Sequence, residues 1–421
     1  VRKIPAWMSG CLIFLSSLGA LEFGGIGNVS SGMGGAGVAL SASPYGLYYN
    51  PALLSADNKT KFGYSIGVEY RQRNIDKLAG LNLKNIASSP RNMETLKQIL
   101  KDNHLSLNSQ NGIVLQLSSS IIREEFGSVA LGYFGSMYAG ISLNGDPNRM
   151  DLIVQNGANY YKLVPNNTGG WDEQTTNETD YKEHSLSYSL QQGDGHKIVT
   201  STFILSEIPI GYAKTFYFKN SNFNIGVAAK FMNGISANQN IYLSDHMNIA
   251  HDLQNFVAKR NYQSYSTFGV DLGMMYEIDF PKFRYLSFGV VAKNLNFPTF
   301  KYDFGNIVIK PQYRVGIAYN ERYFTLAFDA DILPNDMLNF NYKKQQSQMI
   351  GGGFKFDLKY FDLRTGAMKD IRQDDGLILT GGINILGIFD VALQSGTKLG
   401  QTKGYKIPRY LNLKIGGSFS F

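Results

Sequence analysis

The chain has 421 residues, 43% of them hydrophobic, with 45 Gly, 26 Tyr, 27 Phe and one Cys. A mean hydropathy of −0.17, with no 18-residue apolar run past residue 20, excludes a bundle of membrane-spanning helices. The net charge of +7 is a modest, scattered excess; it suits contact with anionic surface lipid, and no Lys/Arg block points to nucleic acid.

Residues 1–20 read as a secretory signal peptide. Arg2 and Lys3 give the positive start, Leu12–Leu15 the apolar centre, and Ser17-Leu18-Gly19-Ala20 the small residues for cleavage. Too little apolar sequence precedes Cys11 for a lipoprotein signal. Cleavage near Ala20 leaves a mature chain without thiol or disulfide chemistry.

Residues 21–61 form a separate N-terminal stretch. Gly32, Gly34 and Gly37 match the spacing G-x-G-x-x-G, but no strand precedes them and no βαβ unit follows, so no dinucleotide cofactor is expected. Gly34, Gly35 and Gly37 suit a chain packed closely inside a pore, where side chains would collide. In Asn50-Pro51-Ala52 the proline fixes its own φ and restrains Asn50, giving a rigid corner before the first strand.

From residue 62 to 421 the chain breaks into strands with period-two alternation. They are expected near 62–71, 111–121, 127–137, 199–217, 222–235, 263–279 and 284–294. The series continues near 310–319, 322–332, 347–357, 360–368, 376–385, 387–394 and 409–421, roughly fourteen in all. Their connections alternate between long and short. Long ones fall near 72–110, 138–198, 236–262, 295–309, 333–346, 369–375 and 395–408. Short ones fall at 122–126, 218–221, 280–283, 320–321, 358–359 and 386. A soluble sandwich has no reason to segregate loop lengths this way, whereas a bacterial outer-membrane barrel has short periplasmic turns and long extracellular loops.

Aromatic residues crowd the short turns: Phe216, Tyr217, Phe218 and Phe223 at one, Phe280, Phe283 and Tyr285 at the next. Tyr319, Tyr323, Phe324, Tyr360 and Phe361 continue the pattern, as a periplasmic interfacial girdle requires. Within the long connections, Asn92–Asn103 and Asp245–Lys259 carry amphipathic helical patterns. Glu69, Arg71, Lys230, Lys293, Arg314 and Lys414 fall on the polar faces of their strands and are expected to point into the lumen. Pro209 interrupts Glu207-Ile208-Pro209-Ile210-Gly211, costing a ladder hydrogen bond and implying a bulge that could open laterally. At the C-terminus Leu411, Leu413, Ile415, Phe419 and the final Phe421 share one face. That strand is expected to pair with the first strand and close the sheet.

The segment 32–39 (Gly-Met-Gly-Gly-Ala-Gly-Val-Ala) and the run Tyr49-Asn50-Pro51-Ala52-Leu53-Leu54 resemble the opening of the outer-membrane barrel family named for the conjugal transfer protein TraF. So do Val291-Ala292-Lys293-Asn294-Leu295, the run 311–319 and the run 327–333. The N-terminal stretch also resembles the hatch of the FadL-type transporters of hydrophobic compounds, in which Asn-Pro-Ala precedes a fourteen-stranded barrel. The terminal Phe resembles the signal read by the barrel-assembly machinery. The resemblance implies an all-β, antiparallel transmembrane barrel at 62–421, plugged by 21–61 and set among outer-membrane lipid and lipopolysaccharide. Its function would be passive uptake of hydrophobic small molecules, captured among the loops and released past the hatch. The competing reading is a non-transporting envelope scaffold tied to conjugal transfer or secretion. Catalysis is not expected: His104, His184, His196, His246 and His251 lack zinc-ligand spacing, and there is no Gly-x-Ser-x-Gly elbow.

Overall fold

The computed structural model describes residues 25–80, 89–118, 124–243, 262–337, 346–358, 360–402 and 405–420. The expected signal peptide with Cys11, the expected helix at 245–259 with His246 and His251, and Phe421 lie outside those residues. The hatch comes first: helix α1 (Asn28–Gly32), helix α2 (Gly46–Tyr49) and a 3₁₀ turn, Pro51–Ser55. Then follow β1 (Lys61–Arg73), helix Pro90–Lys101, β2 (His104–Leu117) and β3 (Ser128–Gly145). A small sheet of β4 (Ile153–Asn156), β5 (Asn159–Pro165) and β6 (Trp171–Thr176) stands above β3, with short helices at Glu178–His184 and Leu186–Gln192.

The chain continues through β7 (His196–Tyr217), β8 (Ser221–Tyr242), β9 (Gln263–Phe280) and β10 (Arg284–Lys293). A hairpin of β11 (Thr299–Tyr302) and β12 (Gly305–Val308) precedes β13 (Gln312–Asn320) and β14 (Phe324–Asp331). After the short pair β15 (Asn335–Asp336) and β16 (Gln346–Ser347) come β17 (Met349–Asp357), β18 (Phe361–Asp370), β19 (Leu377–Ile385) and β20 (Phe389–Gly396). A last hairpin, β21 (Leu399–Thr402) and β22 (Tyr405–Pro408), leads to β23 (Tyr410–Ser420).

Fourteen of these strands close one antiparallel barrel in the order β1-β2-β3-β7-β8-β9-β10-β13-β14-β17-β18-β19-β20-β23. Closure is by β1 on β23, with Phe62 opposite Phe419 and Arg71 opposite Tyr410. Closing the sheet leaves no unpaired edge, which is the condition for strands to cross lipid. The alternation has its expected meaning. On β7, Phe203, Leu205, Glu207, Pro209, Gly211 and Ala213 are buried inside, while Ile208, Ile210 and Tyr212 are exposed outside. Leu411, Leu413 and Ile415 lie on the outer face of β23, and the Phe419 ring stacks on Phe62 with centroids 6.3 Å apart.

Three boundary differences have physical causes. β2 begins at His104, seven residues inside the stretch read as loop, and β3 and β8 run on to Gly145 and Tyr242. These extensions lie at the long-loop end; Leu105 and Leu107 on β2, and Ala139, Ile141 and Leu143 on β3, continue the alternation for a few residues, while the β8 extension is mostly polar. Tyr285 leaves the expected girdle: it points inward, and its hydroxyl lies 2.9 Å from Ser41 Oγ in the hatch. Pro209 produces no bulge. Its pairing with β8 runs unbroken from Lys197 to Tyr217. Its pairing with β3 lapses at Gly132–Tyr133 and Ile208–Pro209 and resumes in the same register, Leu131 on Ile210 and Phe134 on Glu207. No residue is inserted; the ladder simply lacks the N–H that proline cannot supply. A similar lapse at Ile66–Gly67 between β1 and β2 is bridged, because Asn111 Oδ1 accepts the Gly67 N–H at 3.3 Å.

Candidate functional site: the lumen and its hatch

Hatch residues 26–41 and 43–55 are buried almost without exception inside the barrel. Two sides of the lumen hold this segment in different ways. Toward β2, β3, β7, β8 and β10 the contact is apolar. Ile26, Val38, Tyr45, Leu47, Tyr48, Tyr49 and Leu54 pack on Val114, Ala130, Phe134, Ala213, Ala228 and Val291. The Tyr48 ring meets Phe134 edge-on at 5.2 Å, a geometry that adds to the burial of both rings. On the β18–β1 side the contact is polar. Gln394 donates to Ser31 O at 2.8 Å, Thr380 Oγ1 donates to Gly32 O at 3.0 Å and accepts from Gly34 N at 2.9 Å, and Asn28 donates to Asp390 O at 2.5 Å.

The corner motif is built as its residue types require. Asn50 is fully buried; its Nδ2 donates to Val38 O at 3.0 Å and Met274 O at 3.1 Å, and its Oδ1 caps the turn by accepting from Ala52 N at 3.0 Å. One amide side chain thus ties two parts of the hatch to β9, using both donor and acceptor ends. Pro51 and Ala52 lie so close to the wall that a Cβ on Gly226 would overlap the Pro51 carbonyl carbon and the Ala52 nitrogen. Gly37 and Val38 donate their backbone N–H groups to Asp329 Oδ2 at 2.8 and 2.9 Å. The expected hatch residues Gly34, Gly35, Gly37, Asn50, Pro51 and Ala52 therefore all lie in the lumen.

Glu69, Arg71, Lys230, Lys293, Arg314 and Lys414 all face inward, and the structure supplies partners that the sequence did not reveal. Lys230 Nζ lies 3.0 Å from Asp271, 3.3 Å from Glu207 and 2.7 Å from Asn294 Oδ1. Lys293 Nζ sits 3.6 Å above the Tyr48 ring, a cation–π contact away from bulk water. Arg314 Nε pairs with Asp331 at 2.7 Å. Arg364 binds Asp390 at 2.8 Å and Asp362 at 2.5 Å. Lys414 donates to Gly25 O. Pairing offsets the desolvation of these charges. Asp271, Asp329, Asp331, Arg364 and Asp390 alternate with apolar residues on their strands, and that was the only signal in the sequence that could have placed them.

Above the hatch, at the long-loop end, the hairpin β11–β12 folds down into the barrel mouth. Phe300, Tyr302, Ile307 and Ile309 pack against Tyr138, Phe203, Leu205 and Met232 of β3, β7 and β8. Phe300 meets Phe203 edge-on at 5.6 Å, and Tyr302 OH donates to Gly234 O at 2.8 Å. Below this apolar cluster two neighbouring strands form a track. On β3 the successive inward positions are Tyr138, Ser136, Phe134 and Gly132; on β7 they are Phe203, Leu205, Glu207, Pro209 and Gly211. Six residues of strand span about 20 Å. The track ends where the β3–β7 ladder lapses. Leu47 of the hatch fills that point from inside, so close that a Cβ on Gly211 would overlap its Cδ1, while a Cβ on Gly132 would lie 3.4 Å from its Cδ2. Of the three residues expected to form a bulge, Glu207 thus pairs with Lys230, Pro209 marks the ladder lapse, and Gly211 admits Leu47.

Two of the described histidines bond adjacent backbone carbonyls. His184 Nδ1 lies 3.0 Å from Asn148 O and His196 Nε2 lies 3.0 Å from Arg149 O, both fixing the connection between β3 and β7. Among the described residues no group of three His, Cys, Asp or Glu side chains is placed to hold a metal ion.

A closed fourteen-stranded sheet with an apolar exterior, a charged lumen and an inserted N-terminal hatch is a plugged transmembrane β-barrel. Within that class the chain belongs to the TraF family: the family model described as "F plasmid transfer operon, TraF, protein" matches residues 47–331. No curated protein sequence matches it. Similar solved structures include the toluene transporter TbuX of Ralstonia pickettii, at 13% identity and a TM-score of 0.43, covering 94% of this chain and 97% of that one. The toluene transporter TodX of P. putida aligns at 10% identity and a TM-score of 0.44, covering 95% and 99%. A Pseudomonas aeruginosa FadL homologue aligns at 9% identity and a TM-score of 0.44, covering 96% and 99%.

Proposed function

We propose that this protein spans an outer membrane with its short turns toward the periplasm and admits apolar small molecules by diffusion. The observation that carries this reading is the alignment of an apolar cluster, filled by the β11–β12 hairpin, with a two-strand track that ends at a lapse in the barrel wall. An apolar solute gains free energy by leaving water at the loops and takes the place of the β11–β12 hairpin against Phe203, Leu205 and Met232. It then passes the Glu207–Lys230 pair and leaves beside Gly132 and Pro209 when Leu47 withdraws. The wall at that point is held by β3–β7 packing without two of its ladder pairs, so separating the strands there costs fewer hydrogen bonds than along the rest of that strand pair. The test is uptake of a fluorescent phenylnaphthylamine by cells producing wild type or Leu47→Trp. Wild type should accelerate uptake over cells lacking the protein, and the tryptophan, too large to move past Gly211, should abolish the gain. Equal uptake with and without the wild-type protein would remove the proposal.

The second reading is a non-transporting envelope scaffold. The close fit of the hatch supports it, with Asn50, Asp329 and Thr380 each bonding its backbone and Gly226 in contact with Pro51. The family description, which names an F plasmid transfer operon, gives that scaffold a setting. It predicts unchanged uptake and a fall in conjugation frequency on deletion of the gene.

A further inference from the structure

The polar side of the lumen has its own architecture. Above α1 lies a cavity of about 60 Å³ lined by Glu69, Arg71, Arg314, Asp329, Gln394 and Asn412, room for a few water molecules. Below α1, at the short-turn end, a vestibule of about 480 Å³ is lined by Asp57, Lys59, Lys61, Lys355, Asp357 and Asp362, with Val29 at its inner end. Between the two stands α1. Its Asn28, Ser30 and Ser31 are buried, and it is bonded to Asp390 O by the Asn28 amide, to Gln394 by the Ser31 carbonyl and to Thr380 by the Gly32 carbonyl.

We propose that α1 is a detachable gate in a second route through the barrel, one for water and small hydrated ions along the polar wall. Three features make α1 the moving part. Glycines at positive φ stand on both sides of it, Gly27 at 88° before, Gly34 at 66° and Gly35 at 78° after, giving backbone freedom at each end. Its bonds to β19 and β20 are hydrogen bonds, which water entering from either cavity replaces at little net cost, and its one apolar side chain, Val29, packs at the rim of the Met33, Ala36 and Leu40 cluster. The rest of the hatch is anchored elsewhere, by Leu47, Tyr48, Tyr49 and Leu54 on the apolar wall, so α1 can swing without freeing the segment. Charges of both signs line both cavities, so the route discriminates weakly between cations and anions.

The experiment is single-channel recording in planar bilayers with potassium chloride on both sides. One variant, Thr380→Val, removes the hydroxyl that holds both Gly32 O and Gly34 N without changing volume. The other, Gly32→Cys with Gly382→Cys in a Cys11→Ser background, places a lock across the gate. A Cβ on Gly32 would lie 3.4 Å from the Gly382 Cα and one on Gly382 3.5 Å from the Gly32 Cα, so the two side chains would start against each other. Thr380→Val should raise open probability about tenfold, the shift that a loss of about 1.4 kcal/mol brings. The cysteine pair should be silent when oxidised and conduct after reduction, the same molecules serving as their own folding control. Equal conductance before and after reduction, or an open probability in Thr380→Val no higher than wild type, would overturn the proposal. The proposal stands apart from apolar uptake: loss of dye transport in Leu47→Trp leaves it untouched.

Discussion

Replacing Asn50 by Ala should release the hatch while leaving the barrel closed. The side chain makes three hydrogen bonds, two as donor to Val38 O and Met274 O and one as acceptor from Ala52 N, and it is fully buried. Each bond contributes about 1 kcal/mol, and orphaning buried partners adds to that, so the loss is about 3 kcal/mol or more. The barrel strands are held by their own ladders and need none of these bonds. Local opening of the hatch should therefore become roughly a hundredfold more frequent, at about 1.4 kcal/mol per tenfold. Hydrogen–deuterium exchange read by mass spectrometry on the detergent-solubilised protein measures this directly. Peptides covering 37–54 should exchange faster in the variant, and peptides from β7 and β8 should be unchanged. If the hatch peptides keep their wild-type rates within about twofold, Asn50 does not hold the segment and the account of the corner motif is wrong.

Other perturbations test other contacts. Gly226→Ala puts a methyl against the Pro51 and Ala52 backbone, which has little room to give; overpacking should cost about 1–3 kcal/mol and speed exchange at 51–55. Arg364→Met strands Asp362 and Asp390 among buried surroundings and should cost about 3–5 kcal/mol, read as a lower urea midpoint. Adding Asp390→Asn should restore part of that loss; no recovery would deny that the stranded charge is the cause. At the long-loop end, the Lys398 ammonium bonded to Asp374 holds its carboxyl below the usual range. The contribution of that pair is complete above the ordinary carboxylate pKa and fades as pH falls through the lowered one. Lys398→Ala should move the Asp374 titration, followed by carboxyl NMR, upward toward its ordinary midpoint, with Arg73 and Arg409 still holding it slightly down.

Much of this fold is written in the alternation of residues, because each barrel strand meets two fixed environments, and in the segregation of long connections from short ones. The lumen charges Lys230 and Arg314 were legible for the same reason. What was hidden depends on contacts between distant parts of the chain. Asn50 reads as a corner residue, but its bond to Met274 O spans 224 positions. Nothing local says that Gly226 is small because Pro51 lies against it. The hairpin Thr299–Val308 carries its own alternation, Phe300 and Tyr302 against Ile307, and was absorbed into a loop because only the folded chain shows that it turns inward. Pro209 illustrates the limit from the other side. Its missing N–H was certain, while the choice between an inserted residue and a silent lapse was made by the register of β3.

That inward hairpin gives the sharpest separation of the two readings of function. If the apolar cluster around Phe203 and Met232 receives apolar solutes, solute and hairpin compete for one volume, and apparent affinity scales with the fraction of molecules whose hairpin is withdrawn. Tyr302→Phe removes the 2.8 Å bond to Gly234 O and almost no volume, so the cluster keeps its shape while the hairpin loses about 1 kcal/mol. That loss raises the withdrawn fraction about fivefold. The dissociation constant of a naphthylamine probe, followed by fluorescence titration of the solubilised protein, should therefore fall about fivefold. A scaffold whose hairpin is merely part of its packing predicts the reverse pattern: a small drop in stability and no change in probe binding. Unchanged affinity alongside a measurable loss of stability would retire the uptake mechanism, because the hairpin would then have loosened without exposing a site.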